Sequence, residues 1–267
     1  MIKAIVTGCA GRMGRSIVNI IENTGGIELA GGVDMPGGPF IGSDIGQVAG
    51  LGPKGIAISD SLGAIIGKAD VIIDFSTPAA SLEHFLLAHE NKKAIVIGTT
   101  GFDPEHWKTF EAMSRGARAV IAPNMSVGVN LLFKLAKEAA HVLADDYDVE
   151  IVEMHHNQKM DAPSGTAARL ASVVAETLNR DINAVANYGR VGNVGKRPPK
   201  EIGVMTLRGG DVVGEHTVIF AGVGERVELT HRAASRDNFA RGAVRAALWV
   251  VNQPHGLYDM QDVLGLK

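Results

Sequence analysis

The sequence has 267 residues but only one cysteine, Cys9, and it contains no long apolar run. A single cysteine excludes an internal disulfide and any metal site built on a cluster of cysteines. A membrane span needs roughly 20 consecutive apolar residues, and no segment approaches that length. The chain also starts directly in a predicted strand, without the charge and apolar pattern of a signal peptide. We therefore expect a cytoplasmic protein without a membrane partner.

Positive charge is not in excess either, because 26 lysines and arginines stand against 29 aspartates and glutamates, for a net charge of −3. This balance and a sequence pI near 6.3 argue against general nucleic-acid binding. The one basic run, residues 196–200, is interpreted as a solvated loop, with closure over an acidic ligand as the alternative. A hydrophobic content of 46% and a mean hydropathy of +0.11 indicate a compact protein of one large or two medium domains.

A glycine-rich turn follows the first apolar run, residues 2–7, and leads into a helical pattern. Its sequence, Gly8-Cys9-Ala10-Gly11-Arg12-Met13-Gly14, is one residue longer at its start than the usual dinucleotide fingerprint. Glycines at such a turn let the backbone approach a pyrophosphate and let the helix pack closely on the strand. A second predicted strand ends at Asp34, twenty residues beyond Gly14, where a carboxylate can bind a ribose diol. Together these features predict a dinucleotide site; the alternative is a glycine-rich turn without a ligand.

Strands and helices alternate through the first half of the chain, as in a doubly wound parallel sheet. Further buried strands are predicted over residues 69–75, 93–98 and 118–122. Each of them ends in a loop of small residues, at the edge where such a sheet binds its ligand.

The second half of the chain has a different pattern, with shorter strands predicted over residues 202–208, 214–220 and 226–231. The last two are separated by Gly222-Val223-Gly224, which is typical of a hairpin turn. A final helix is predicted over 237–251, with Asp237 as its cap. The fold class is therefore α/β: a Rossmann-like, doubly wound parallel sheet domain plus a smaller α+β domain with an open mixed sheet.

The most informative segment begins with an alternating stretch, residues 148–156, that predicts a strand ending in His155 and His156. Adjacent residues of a strand point to opposite faces, so we expect only one of the two histidines to do chemistry. The other would orient or bind a ligand. Lys159 adds a positive charge close by. The segment therefore predicts a site that holds an acidic small molecule and gives it a proton.

A helix start follows the two histidines. After Asp161-Ala162-Pro163, Ser164 is a good N-cap for a helix that runs toward Leu178. The free backbone N–H groups around Gly165 and Thr166 would favour a carboxylate or a phosphate at this end of the helix.

Several motifs together carry a family resemblance that runs nearly end to end. The stretch from Glu153 to Ala167 is one of them, and within it the segment from His155 to Thr166 is the specific one. The others are Gly8 to Gly14, Asp74-Phe75-Ser76, Gly98 to Phe102, Asn124 to Asn130 and Arg208 to His216. On these motifs the chain resembles the 4-hydroxy-tetrahydrodipicolinate reductase family, also called dihydrodipicolinate reductases. The resemblance implies NAD(P)H-dependent reduction of (2S,4S)-4-hydroxy-2,3,4,5-tetrahydrodipicolinate to tetrahydrodipicolinate with loss of water. It also implies a place in the diaminopimelate pathway of lysine biosynthesis, and a homotetramer.

The resemblance further implies the roles of individual residues. His155 would be the general acid or base, and Lys159 a second proton donor. The small-molecule dicarboxylate would be bound by His156, Lys159, Ser164, Gly165 and Thr166. The cofactor would contact Gly8, Cys9, Ala10, Gly11, Arg12, Met13, Asp34, Gly98, Thr99, Thr100, Ala122, Pro123, Asn124 and Met125. No metal is implied.

The family also implies a division into domains. A dinucleotide-binding domain over residues 1–126 would be completed by 236–267, because the last helix returns to it. Residues 127–235 would form the domain for substrate binding and oligomerisation.

One departure from the family pattern affects the choice of cofactor. Members that use NADPH well often have an arginine directly after the acid that ends the second strand, whereas this chain has Met35 after Asp34. A carboxylate at this place suits the free diol of NADH and repels a 2′-phosphate. We expect NADH to be preferred, with NADPH as a second cofactor because Arg12 offers a charge for its phosphate.

Two other functional classes share parts of this pattern. A metal-dependent hydrolase would use His155, His156 and a carboxylate such as Glu153, although neighbouring histidines on a strand diverge and a zinc site needs three converging ligands. A nucleotide-sensing regulator would keep the dinucleotide fold without turnover. For three residues in the second half, His216, His231 and Arg236, the sequence favours neither a structural nor a functional role. The histidines of predicted helices, at positions 84, 89 and 106, were expected at the surface.

Overall fold

The computed structural model describes residues 1–267, which form two compact units. The first comprises Met1–Val127 and Arg236–Lys267, and the second comprises Gly128–Ser235. The twelve strands are β1 (Ile2–Thr7), β2 (Ile27–Val33), β3 (Ile58–Ser59), β4 (Val71–Asp74), β5 (Ala94–Ile97), β6 (Arg118–Ile121), β7 (Asp148–His155), β8 (Ala186–Asn187), β9 (Ile202–Arg208), β10 (Gly214–Ala221), β11 (Arg226–Ala233) and β12 (Gly256–Tyr258).

The ten α-helices are α1 (Arg12–Glu22), α2 (Ile45–Ala49), α3 (Leu62–Ile65), α4 (Pro78–Glu90), α5 (Pro104–Met113), α6 (Val127–Leu143), α7 (Gly165–Thr177), α8 (Ile182–Val185), α9 (Asp237–Val250) and α10 (Met260–Leu264). Two short 3₁₀ helices cover Ile66–Lys68 and Ala144–Asp146. None of the helices has the length and apolar character needed to cross a membrane.

The first unit is a parallel sheet of seven strands in the spatial order β12-β6-β5-β4-β1-β2-β3. Consecutive residues of its central strands belong to two different cores. Ile5, Ile72 and Ile95 pack with Phe85 of α4 and Phe110 of α5 on one face. On the other face the core is formed by Val6, Ile73, Val96 and residues of α1 and α9. Helices therefore cover both faces, which explains why these strands are apolar throughout.

Helix α9 packs closely on the loop after β6 through a small residue, Gly242. A β-carbon at Gly242 would lie 1.8 Å from the carbonyl oxygen of Met125, so only glycine allows this approach. The expected cap of α9 was wrong. Arg236 is the N-cap residue and makes no capping hydrogen bond through its side chain, whereas Asp237 lies in the first turn. Its Oδ1 accepts a hydrogen bond from Ser16 Oγ at 2.6 Å.

The second unit is a mixed sheet of five strands in the order β11-β10-β7-β9-β8. Strand β7 is antiparallel to β10 and parallel to β9, and β10 and β11 form the expected hairpin. Every second residue of β7 is buried, and Val149 and Ile151 pack against Leu170 and Val174 of α7. The predicted fold class, a Rossmann-like domain with a smaller α+β domain, is confirmed.

Candidate active site

Two chemically active side chains lie on the buried face of β7. Glu153 and His155 are two residues apart, so both follow Val149 and Ile151 on the face that the helices cover. Glu153 is 0% exposed and His155 is 9% exposed. The Nδ1 atom of His155 lies 2.6 Å from Oε2 of Glu153. The strand thus places a carboxylate directly behind an imidazole.

The charge of Glu153 is compensated mainly by Arg208 at the end of β9. Its guanidinium donates to both carboxylate oxygens, from Nη1 to Oε2 at 2.8 Å and from Nη2 to Oε1 at 3.0 Å. The backbone N–H of Ser164 donates to Oε1 at 3.0 Å. Burial by itself would raise the pKa of Glu153, but the hydrogen bonds from Arg208, His155 and Ser164 outweigh it and hold the pKa below its ordinary value. Glu153 is therefore an ionised acceptor.

The ionised carboxylate determines which nitrogen of His155 carries a proton. Because Glu153 can only accept, the hydrogen lies on Nδ1, and Nε2 is left to exchange a proton with a ligand. Burial lowers the pKa of His155, and the positive charges of Lys159 and Arg208 lower it as well. The hydrogen bond to Glu153 and the negative charge of that carboxylate raise it. The net shift is downward, so the imidazole of the ligand-free protein is mainly neutral at neutral pH.

The predicted N-cap is confirmed. Ser164 Oγ accepts a hydrogen bond from the backbone N–H of Ala167 at 3.1 Å, at the start of the 13-residue helix α7. The first turn of this helix contains no acidic side chain. The N-terminus of a helix with such a turn attracts anions through its backbone N–H groups. Gly165 and Thr166 are the first two residues of α7, so their backbone N–H groups lie at this end of the helix.

A second buried histidine, His216 of β10, belongs to the same cluster. Its Nε2 lies 3.0 Å from Ser164 Oγ, and its ring packs edge-on against that of His155, with centroids 5.2 Å apart. Burial is the main reason that the pKa of His216 is lowered to about 4, and repulsion by the ring of His155, when that ring is protonated, is the second. His216 is therefore neutral at neutral pH. We refer to Glu153, His155, Ser164, Arg208 and His216 as the Glu153 cluster.

The remaining predicted substrate residues lie in the loop after β7. His156, the first residue beyond the strand, donates from its backbone N–H to the carbonyl of Val212 at 2.7 Å. Its own carbonyl accepts from the N–H of Lys159 at 3.2 Å, which closes a turn. The Lys159 ammonium pairs with Asp161 at 2.8 Å, and this pair lowers the pKa of Asp161.

His231 and Arg236, whose roles the sequence did not decide, lie outside the Glu153 cluster. His231 faces His216 across the β10–β11 pair, and burial lowers its pKa. A β-carbon at Gly128 would lie 2.7 Å from its ring. Arg236 belongs to the first unit, at the start of α9.

The glycine turn of the first unit has the geometry that a dinucleotide requires. Gly8 has a φ of +63°, and a β-carbon there would lie 2.7 Å from the carbonyl oxygen of Phe75. A β-carbon at Gly14 would lie 2.2 Å from the carbonyl oxygen of Gly8. Gly11 is the N-cap of α1, whose first turn contains no acidic side chain. These residues fit a pyrophosphate at the helix N-terminus.

Asp34 links the end of β2 to this turn. Its Oδ2 accepts from the N–H of Ala10 at 2.7 Å, and its Oδ1 accepts from the N–H of Met35 at 2.8 Å. Each carboxylate oxygen keeps a further lone pair, which suits a ribose hydroxyl. Arg12 and Met35 beside it are both exposed. Cys9 is fully buried, and burial raises the pKa of its thiol to about 12, so it acts as packing.

The other predicted cofactor residues follow β5 and β6. A β-carbon at Gly98 would lie 2.2 Å from the ring of Phe75. Thr99 is buried and Thr100 is exposed. The loop Ala122 to Met125 begins with a hydrogen bond from Ala122 N–H to the carbonyl of Ile97 at 3.1 Å. These loops lie at the carboxyl ends of neighbouring strands, where doubly wound sheets bind their ligands.

Sequence reasoning missed the importance of Glu153, Arg208 and His84. The position of Glu153, two residues before His155 in an alternating strand, was the available signal. Nothing local indicated Arg208, since its partner is 55 residues away. The expectation of a surface histidine at position 84 was wrong, because its ring pairs with the buried Asp74 and its side chain is only 13% exposed. In this structure no group of three or more His, Cys, Asp or Glu side chains is arranged to hold a metal ion.

The chain matches known proteins along its whole length. Residues 2–125 match the family model described as dihydrodipicolinate reductase, N-terminus, and residues 128–264 match its C-terminus. The 4-hydroxy-tetrahydrodipicolinate reductases of Pelobacter propionicus and Trichlorobacter lovleyi are 55% and 56% identical over 267 residues, which is 100% of each protein.

A solved structure agrees with these matches. Dipicolinate-bound dihydrodipicolinate reductase from Paenisporosarcina sp. TG-14 aligns with a TM-score of 0.78 at 27% identity, with 98% of both chains covered. A myo-inositol dehydrogenase from Corynebacterium glutamicum, with a TM-score of 0.56 at 14% identity, shares the fold alone. The hydrolase and sensor alternatives are therefore wrong. The chain belongs to the dihydrodipicolinate reductase family and is an NAD(P)H-dependent oxidoreductase.

Proposed function

We propose that this protein reduces 4-hydroxy-tetrahydrodipicolinate to tetrahydrodipicolinate in the diaminopimelate pathway of lysine biosynthesis. In the balanced reaction, substrate, NAD(P)H and one proton give tetrahydrodipicolinate, NAD(P)⁺ and water. The proposal rests on one observation above the others: the carboxylate of Glu153 binds both His155 Nδ1 and the backbone N–H of Ser164. An imidazole and the start of a helix are thereby held at one place, which supports the assignment of proton transfer to the one and of carboxylate binding to the other.

The second unit would supply the proton of this reaction. Reduced nicotinamide supplies the hydride when it is bound. Hydride addition leaves negative charge on the conjugated imine, and a positioned donor then lowers the barrier, typically by 10²–10⁴ in rate. We assign this role to His155 Nε2 or to the Lys159 ammonium.

Substrate charge would prepare His155 for that role. In the ligand-free protein, burial keeps the pKa of His155 low. Two carboxylates brought close to the ring favour its charged form, so substrate binding raises the pKa and loads the proton onto Nε2. Glu153 remains ionised and stabilises the resulting imidazolium.

The dicarboxylate would be bound by the start of α7 and by the loop before it. The backbone N–H groups of Gly165 and Thr166 and the Ser164 cap would receive one carboxylate, with His156 and Lys159 beside it. The solved relative from Paenisporosarcina contains dipicolinate, which is also a ring dicarboxylate.

The cofactor would be bound by a dinucleotide-binding domain of residues 1–126 completed by 236–267, which lies within the first unit. The glycine turn Gly8 to Met13 would receive the pyrophosphate, and the loops Gly98–Thr100 and Ala122–Met125 would receive the nicotinamide half. NADH is the proposed preference, since Asp34 suits a free diol and Met35 offers no charge to a phosphate. Arg12 keeps NADPH as a second cofactor.

Residues 127–235 would form the substrate domain and the contacts of a homotetramer in the cytoplasm. A tetramer has four times the chain mass of 28.1 kDa, which light scattering on a sizing column measures directly. A monomeric mass at working concentration would contradict this part of the proposal.

The function is tested by coupling the protein to dihydrodipicolinate synthase with pyruvate and aspartate semialdehyde, and following NADH absorbance. We expect His155→Ala and Lys159→Ala to lose at least about 10²-fold in turnover while they retain NADH binding. His141→Ala and Lys137→Ala, at exposed positions of α6, are the controls and should behave as wild type. Normal turnover in H155A or K159A would remove that residue from the mechanism, and an inactive wild type would overturn the function.

A further inference from the structure

A second buried carboxylate, Asp74, lies at the carboxyl end of β4 in the first unit and is 0% exposed. It is the acceptor for five side chains. His84 Nδ1 lies 2.7 Å from Oδ1, Ser76 Oγ donates to Oδ1 at 2.8 Å, and Thr99 Oγ1 donates to Oδ2 at 3.2 Å. The hydroxyls of Thr7 and Ser81 complete the set. We refer to these six residues as the Asp74 cluster.

Four members of the Asp74 cluster lie at the ends of three adjacent strands, and the other two, Ser81 and His84, lie on α4. Thr7 is the last residue of β1, Ser76 follows β4 and Thr99 follows β5, and β1, β4 and β5 are neighbours in the sheet. The backbone N–H of Ser76 also donates to Thr99 Oγ1 at 3.1 Å. One carboxylate thus ties together the loops that leave three strands.

The charge of Asp74 makes these bonds strong. Burial by itself would raise its pKa, but the hydrogen bond and charge of His84, together with the hydroxyls of Ser81 and Thr7, outweigh burial and lower the pKa. An ionised carboxylate accepts from every neighbour, and hydrogen bonds to a charged acceptor are about twice as strong as neutral ones.

We infer that Asp74, held by His84, is a positioning residue for the dinucleotide site. It fixes the glycine turn after Thr7 and the loops at Ser76 and Thr99 relative to one another before any cofactor binds. Loops that are already ordered bind a ligand at a smaller entropic cost. The inference rests on the proposed dinucleotide site, because those loops are the ones assigned to the cofactor.

Two variants remove donors without removing the carboxylate. His84→Leu deletes the ring that pairs with Asp74, whereas His84→Gln keeps a side-chain N–H for it. Thr7→Val keeps the shape of a fully buried side chain and removes the hydroxyl that donates to Asp74. His89→Leu is the matched control, because His89 lies on the same helix and its buried Nδ1 has no hydrogen-bond partner.

Two measurements separate the effect of each variant on loop order from its effect on NADH affinity. Hydrogen exchange of the ligand-free protein reports whether the amides of Phe75–Thr77 and Gly98–Thr100 have loosened, and NADH titration by fluorescence reports affinity. We expect H84L and T7V to exchange faster in both loops and to bind NADH about tenfold more weakly, as for a lost hydrogen bond to a charged group. We expect H84Q to stay within about threefold of wild type and H89L to match it.

The inference is overturned if H84L and T7V match H89L in both measurements. It is also overturned if H84Q is as weak as H84L, because ring packing and not the bond to Asp74 would then be the cause. A wild-type protein that fails to bind NADH would overturn the proposed cofactor site. The exchange comparison would still test Asp74 in that case, since it uses no ligand.

Discussion

The carboxylate of Glu153 lies 2.6 Å from Nδ1 of His155, and both side chains are on the buried face of one strand. This contact places the ring proton on the nitrogen that faces Glu153. The same carboxylate is bound twice by Arg208, so it stays ionised although it is fully buried. Glu153 therefore orients the imidazole and keeps it able to accept a second proton.

Replacement of Glu153 by glutamine should reduce kcat by at least about 10²-fold with little change in NADH affinity. The neutral amide can donate to Nδ1, which would turn the imidazole into the wrong tautomer, and it no longer stabilises an imidazolium. The coupled assay and a NADH titration measure the two effects. Glu138→Gln, at a surface position of α6, is the control. A kcat within about twofold of wild type would show that Glu153 does not orient His155.

Replacement of Arg208 by methionine should lower the free energy of unfolding by about 2–3 kcal/mol, because it leaves a buried carboxylate without its main charge partner. The side chain of Arg208 is 21% exposed, which places the effect at the lower end for a buried pair. Urea denaturation measures it. The double variant R208M/E153Q should recover part of the loss, since no unpaired charge remains; additive losses would contradict the coupling.

Stability should fall as the pH is lowered from about 6.5 toward 4, because His216 is kept neutral in the fold with a pKa of about 4. An unfolded histidine takes up a proton near pH 6.5, so the unfolded state binds more protons in this window and is favoured there. The contribution of His216 to the free energy of unfolding is fully present well above pH 6.5, and about 1.4 kcal/mol of it is lost by pH 5.5.

Urea midpoints at pH 7.5 and pH 5.5 test this linkage, with His216→Gln as the comparison. His155 and His231 also have lowered pKa values and add to the same trend. The variant should therefore lose less stability than wild type between the two pH values. An equal loss would show that His216 is not kept neutral by the fold.

Replacement of Met35 by arginine should shift the cofactor preference toward NADPH. Met35 is 70% exposed and follows Asp34, so the new guanidinium can reach a 2′-phosphate without repacking the core. We expect the ratio of kcat/KM for NADPH to that for NADH to rise by about tenfold, the effect of one charged contact. Val142→Arg, at an exposed position of α6, controls for added charge. A wild-type protein with a tenfold advantage for NADPH would contradict the proposed preference.

Local features of the chain were predictable because each depends on neighbouring residues. The alternation of β7, the Ser164 cap and the glycines of the first turn all follow from strand period, capping chemistry or backbone freedom. The likeness to a known family supplied the activity, which no spacing rule could have supplied.

The expectations that failed concern side chains whose hydrogen-bond partners lie on other elements of the fold. His84 was expected at the surface, yet α4 turns it toward the buried Asp74 at the end of β4. Asp237 was expected to cap its own helix, yet it accepts from Ser16, 221 residues away. Neither contact leaves a local pattern, because a side-chain hydrogen bond requires only that two groups meet in space.

The sequence by itself determined the alternation of strands and helices in the first half of the chain, the two glycine-dependent turns and the Ser164 cap of α7. Only the tertiary structure decided which charges are buried together. Arg208 reaches Glu153 across 55 residues, and Thr7 reaches Asp74 across 67. The reason is physical: a buried carboxylate is stable only where the fold brings enough donors to it, and donors such as Arg208 and Thr7 come from strands that are neighbours in the sheet but not in the chain.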